Sequence, residues 1–253
     1  MDNSFAAVGA SLNIDGGTVG NGLELVDSEL NISGGTVGDG IDVNSSTVNI
    51  DGGTIGVLGA STSGNALDVN AGSIVNVSGG TVGRGVRVNS GGTINVSDGT
   101  VATNLTANAG STVSISGGTI GDDSFANFTA NSGSMVEISG GNFGTSFRAQ
   151  VGSDVELIGG EFLLNGATPT GPITLASGDT LTGTLADGSA FIFSDETDTL
   201  NEVTLTSVAL PTANTDPITI DETSSTVPSS LRAGQTLTLQ AGSLGENLSL
   251  IHI

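Results

Sequence analysis

The sequence contains no cysteine, no tryptophan and no tyrosine, and it sets four basic residues against 26 acidic ones. Without cysteine there is no disulfide framework and no thiolate chemistry. A formal charge of −22 opposes polyanions, which excludes nucleic acid and anionic membrane surfaces as partners, and it favours solubility at high ionic strength or with divalent cations. Proline is scarce, at five in 253 residues, and a hydrophobic content of 36% with no run of membrane length fits neither a disordered nor a membrane-spanning chain.

What the chain does have is glycine, 41 of them, in a recurring unit. Ser46 to Gly56 reads STVNIDGGTIG, and close copies end at Gly20, Gly38, Gly83, Gly121 and Gly144, with weaker ones at Thr93 to Val101 and Asp154 to Phe162. The residues between the two apolar positions are Asn13, Asn31, Asn49, Asn76, Asn95, Ser114, Glu137 and Glu156, at steps of 18, 18, 27, 19, 19, 23 and 19. A period of this length marks a repeat architecture. Within each copy the apolar residues alternate, as Leu12 and Ile14 do about Asn13, so the elements are strands. A Gly pair marks a bend, a short Thr-Val strand follows, and a third strand repeats the alternation in Leu23-Glu24-Leu25, Ile41-Asp42-Val43, Leu67-Asp68-Val69 and Val86-Arg87-Val88.

These features predict an all-β chain: a right-handed parallel β-helix, or β-solenoid, of about eight three-stranded rungs, with a C-terminal β cap and the start of a further β segment. A single rung cannot bury its own apolar face, so stacking must supply the stability. Leu12/Leu30/Val48/Val75/Ile94/Val113/Val136/Val155 and Ile14/Ile32/Ile50/Val77/Val96/Ile115/Ile138/Leu157 are the expected inward columns, with Leu23/Ile41/Leu67/Val86 on the third face and the Asn column outside as a polar ladder. Phe128, Phe143, Phe147 and Phe162 fall at inward positions as core stacks. Insertions within Gly56 to Ala66 and around Asp122 to Asn127 should project as loops.

The organisation read from the sequence is solenoid repeats over 1–162, capping strands over 163–210 with a turn at Asp187-Gly188, a linker over 211–230 and the start of a second β segment over 231–247. Residues 248–253 look like a translated transposase sequencing adapter and are set aside, which removes His252, the only histidine. Phe5 to Ala7 aligns with Phe147 to Ala149, so the chain opens inside a rung, and neither the basic segment nor the apolar core of a signal peptide precedes it. An internal fragment of a longer protein is the expectation.

Candidates for chemistry are few. The basic residues are Arg84, Arg87, Arg148 and Arg232. Arg87 is expected outward between Asp68 and Thr106, with Arg84 in the preceding turn; these form either a sugar-carboxylate or catalytic site or a solvated ion pair between rungs, which contributes little. Asp122 and Asp123 offer carboxylates for calcium, against their ordinary use as turn residues. No cofactor is otherwise expected. The sequons Asn104-Leu105-Thr106 and Asn127-Phe128-Thr129 arise readily in a repeat of this composition and carry no weight.

The copies NISGGTVGDG, NIDGGTIG and NVSGGTVGRG resemble the Gly-Gly-Thr repeats of pectate-lyase-like right-handed β-helix proteins in autotransporter passengers, adhesins and other bacterial surface proteins. The resemblance covers about Phe5 to Phe162 and carries over no catalytic motif. It implies a secreted or cell-surface location, a structural or adhesive role, and glycans or a host or neighbouring cell surface as partners, without membrane insertion. The competing reading is a polysaccharide lyase or glycoside hydrolase acting on acidic glycans, with its site around Arg87 and the Gly56 to Ala66 loop.

Overall fold

A computed structural model of the chain describes residues 5–56, 65–121, 127–144 and 146–210, and the backbone of 218–220 and 237–239. The described residues contain strands and no α-helix. Short and long strands alternate from the start: β1 (Phe5–Val8), β2 (Ser11–Val19), β3 (Leu23–Val26), β4 (Glu29–Val37) and β5 (Ile41–Asn44). The third copy of the repeat is divided into β6 (Thr47–Ile50) and β7 (Thr54–Ile55). Alternation then resumes with β8 (Leu67–Val69), β9 (Ile74–Val82), β10 (Val86–Val88), β11 (Thr93–Val101), β12 (Leu105–Ala107) and β13 (Thr112–Ile120). It ends with β14 (Asn127–Ala130), β15 (Met135–Phe143), β16 (Ser146–Ala149) and β17 (Asp154–Leu164), after which come β18 (Thr180–Leu185), β19 (Ala190–Ser194) and β20 (Thr204–Ser207).

The short strands β1, β3, β5, β8, β10, β12, β14 and β16 form one parallel sheet in that order, and the long strands stack in a second. The result is a β-solenoid of about seven turns, consistent with the right-handed parallel β-helix implied by the repeat. The expected first and second strands are one strand in most rungs, because the Gly pair bends the strand without breaking it. Register shifts mark the bend between Ile14 and Thr18 and again between Val96 and Thr100. Glycine is required there by contact as well as by conformation. A Cβ on Gly79 would lie 2.3 Å from the Asp51 carbonyl oxygen, and Gly80 has φ +68°.

The interior is the set of columns that the alternation indicates. Leu30, Val48, Val75, Ile94, Val113, Val136 and Val155 are buried in one, and Ile14, Ile32, Ile50, Val77, Val96, Ile115, Ile138 and Leu157 in the next. Leu12, on the first rung, is only half-buried. Phe128 stacks on Phe147 with ring centroids 4.9 Å apart, and Phe143 packs near Phe147 at 6.5 Å.

The eighth copy, in β17, leads to no further short strand. The chain turns back into β18, antiparallel to β17, and β20 adds parallel to it. The β18–β19 hairpin turns at Asp187-Gly188, where Gly188 has φ +94°, and the Asp187 carboxylate accepts a 2.8 Å hydrogen bond from the Gly141 N–H. Phe193 is buried against Phe143 and Phe147, with centroids at 5.9 and 5.4 Å, and closes the apolar interior. The edge of β16 is covered too. Thr199 donates to the Phe147 carbonyl and accepts from the Ala149 N–H, while the buried Asp198 carboxylate accepts from the N–H groups of Phe147 at 2.7 Å and Ser194 at 2.9 Å.

The chain divides into two compact units at Leu210 and Pro211. In the second, strands β21 (Ile218–Ile220) and β22 (Leu237–Leu239) pair in parallel with Ile218 opposite Leu237. That offset of 19 residues equals the step between several rungs of the first unit.

Candidate functional site

The outward middle residues of the short strands line up as one column: Ala6, Glu24, Asp42, Asp68, Arg87, Thr106, Thr129 and Arg148. Inward neighbours such as Leu23, Leu25, Ile41 and Val43 are packed in the core, which holds these positions outside on the pleat. Arg87 therefore sits in register between Asp68 and Thr106, exposed, with Arg84 exposed in the turn before it. The Asn65 side-chain amide donates to both Asp68 oxygens, at 3.1 and 3.0 Å.

Three carboxylates thus stand on successive rungs, about 4.8 Å apart along the sheet. The Asp42 carboxyl is pushed above its ordinary range, first by partial loss of surrounding water and then by the charges of Asp68 and Glu24. A carboxylic acid of raised pKa beside a second carboxylate is the elementary equipment of acid–base glycoside chemistry. Here the groups lie along an open sheet face. Among the described residues no group of three or more His, Asp or Glu side chains is placed to hold a metal ion. Asp122, Asp123, Arg232 and most of the Gly56 to Ala66 loop lie outside the described residues.

Outward asparagines bond to their counterparts on adjacent rungs. The Asn31 amide donates to Asn13 at 3.0 Å, Asn49 to Asn31 at 2.8 Å, Asn76 to Asn49 at 2.8 Å and Asn95 to Asn76 at 2.9 Å. A second ladder, which the repeat alignment overlooks, runs through the turns: Asn89 donates to Asn70 at 2.8 Å, Asn108 to Asn89 at 2.9 Å and Asn131 to Asn108 at 3.0 Å. Its signal lies in the turn sequences VNAGS, VNSGG, ANAGS and ANSGS.

Buried serines occupy the corner beside that ladder. Ser28, Ser46, Ser73, Ser111, Ser134 and Ser153 are each under 9% exposed. The last three turn their hydroxyls to the carbonyls of Asn108, Asn131 and Gln150, at 2.6 to 2.7 Å. Ser28 Oγ donates to the Ala7 and Val26 carbonyls, and Ser46 Oγ accepts from the Ser28 N–H at 2.9 Å. Each of these hydroxyls is thereby hydrogen-bonded to backbone groups of the corner. No protein-family model, no curated protein and no solved structure matches the chain.

Proposed function

We propose that this chain is a non-catalytic structural and adhesive solenoid of a secreted or surface-displayed bacterial protein, akin to the pectate-lyase-like β-helices of autotransporter passengers and adhesins. The observation that carries the reading is the pair of Asn ladders. These outward asparagines are committed to the next rung instead of converging on a common point, which favours a rigid rod over a reaction centre. Seven rungs at about 4.8 Å make a rod of about 34 Å, suited to spacing or display. Extended glycans or a neighbouring cell surface are the partners in this reading.

A second reading rests on the Asp42–Asp68–Arg87 column, where a raised carboxyl stands next to a second carboxyl that is itself in register with a guanidinium: a lyase or hydrolase of acidic glycans. One experiment separates the two. The purified chain is incubated with pectin and alginate and assayed for unsaturated or reducing-end products, while retention on the immobilised glycans is measured in parallel. Retention without products is expected. Products that disappear in Asp42→Asn, Asp68→Asn and Arg87→Ala would establish the enzyme instead.

A further inference from the structure

The last copy of the repeat bends differently from the others. In the seven earlier copies the left-handed residue of the bend is the second glycine, from Gly17 at φ +76° to Gly141 at φ +97°. In β17 it is instead Glu161, at φ +56°, which stands where Asn142 and the threonines of the earlier rungs stand. The antiparallel pairing with β18 accounts for the shift. Gly160 faces Thr184 and Leu163 faces Thr182, so β17 carries one residue more than its partner between those pairs. The left-handed position of such a bulge is ordinarily glycine, and bulges re-aim the side chains around them. Here a glycine is present one residue earlier, yet a carboxylate side chain occupies the unfavourable position.

The bulge brings Glu161, Phe162 and Leu163 to one cavity of about 480 Å³, whereas a regular strand would send alternate residues to opposite sides. That volume lies within the range of small-molecule sites. The facing walls are apolar: Pro169 and Pro172 of the segment after β17, and Leu205 of β20. Glu161 is the only acidic or basic residue in the lining. One of its carboxylate oxygens accepts a 3.3 Å hydrogen bond from the Thr184 hydroxyl, and the other accepts none among the described residues. Thr204 and Ser207 add hydroxyl oxygens to the same cavity.

An apolar cleft with a single carboxylate selects its ligand by charge and by shape. A bare calcium or magnesium ion takes about six oxygen ligands, and among the described residues no three His, Asp or Glu side chains are grouped to hold a metal ion. A primary ammonium group asks for less, because its N–H donors need only the carboxylate and the neighbouring hydroxyls as acceptors. The formal charge of −22 draws cations to the chain, and an apolar body on the ligand would displace water from Leu163, Leu205 and the two prolines.

We propose that this cavity binds a small primary amine, with its ammonium group on the Glu161 carboxylate and its apolar body against Leu163 and Leu205.

The test is isothermal titration calorimetry of the full chain with phenethylamine at neutral pH. Saturable binding at a single site is expected. The neutral 2-phenylethanol and the anionic 3-phenylpropionate, which keep the same body, should bind about tenfold or more weakly, as the loss of a hydrogen bond to a charged group implies. Glu161→Gln should lose affinity to the same extent. Glu161→Gly should lose it too while melting no lower than the parent chain, since glycine adopts the left-handed φ freely. That variant separates loss of the site from loss of the fold. Leu205→Ala should weaken binding several-fold, and Asp42→Asn, on the short-strand sheet, should leave it unaltered. Absence of saturable binding, equal binding of 2-phenylethanol, or undiminished binding to Glu161→Gln would overturn the proposal. So would an equal loss in Asp42→Asn, which would assign the binding to the general charge of the chain.

Discussion

Replacing Asn49 with serine removes two side-chain hydrogen bonds at once, because its Nδ2 donates to Asn31 and its Oδ1 accepts from Asn76, both at 2.8 Å. Serine is too short to span adjacent rungs. Each bond of this type contributes a net amount of about 0.5–1.5 kcal/mol, towards the lower end where water reaches it, so Asn49→Ser should lose about 1–2 kcal/mol. Asn13 provides the internal control. It makes one ladder bond, accepted from Asn31 at 3.0 Å, so Asn13→Ser should cost about half as much. Urea titrations followed by circular dichroism, with midpoint and slope fitted separately, would measure both. If the two variants lose the same stability, or if Asn49→Ser is silent, the ladder carries no energy and its role in the rod is void.

Three further outcomes follow from the same coordinates. Ile50 is fully buried, so Ile50→Asp should cost more than about 3 kcal/mol by denaturant titration, since it places an unpaired charge in the apolar column. Asp198→Ala should cost about 2–4 kcal/mol, because it strands the Phe147 and Ser194 N–H groups, and near-UV circular dichroism should report loosening of the phenylalanine cluster. Asp42→Asn should stabilise at neutral pH by under about 1 kcal/mol, less in high salt. The sign follows from the raised folded-state pKa: ionised Asp42 costs stability above that value, and the gain from asparagine should vanish as pH falls below the ordinary 3.8. A gain that persists at pH 3 would refute it.

The solenoid was legible because its two signals are local. Alternation of Leu12, Asn13 and Ile14 fixes inside and outside, and a near-constant step fixes which residues stack. That step also placed Arg87 between Asp68 and Thr106. The acidic run Glu24, Asp42, Asp68 was present in the middle letters of three short strands, but its effect on the Asp42 carboxyl appears only when the strands are stacked. From sequence alone Asn49→Ser reads as a mild outward exchange of the kind already present at Ser114, and only the rung-to-rung bonds raise its cost. Ser28, Ser46 and Ser73 look like ordinary turn residues, since nothing in their immediate neighbourhood announces that their hydroxyls are enclosed. The contacts of Asp198 with Phe147 and Asn201 with Ala149 span 51 and 52 residues, beyond the reach of any periodic pattern.

The covering of β16 and β17 has a kinetic consequence. Rungs contact only their neighbours, so such an array opens from its ends inward rather than all at once. With Phe193, Asp198 and Thr199 clasping the last rungs, the phenylalanine cluster should be the last part of the array to open. Amide hydrogen exchange would then report a gradient: rapid in Ser11–Val19, slower through Ile74–Val82 and slowest around Met135–Phe143. Under load, the rungs held by this clasp would be the last to yield.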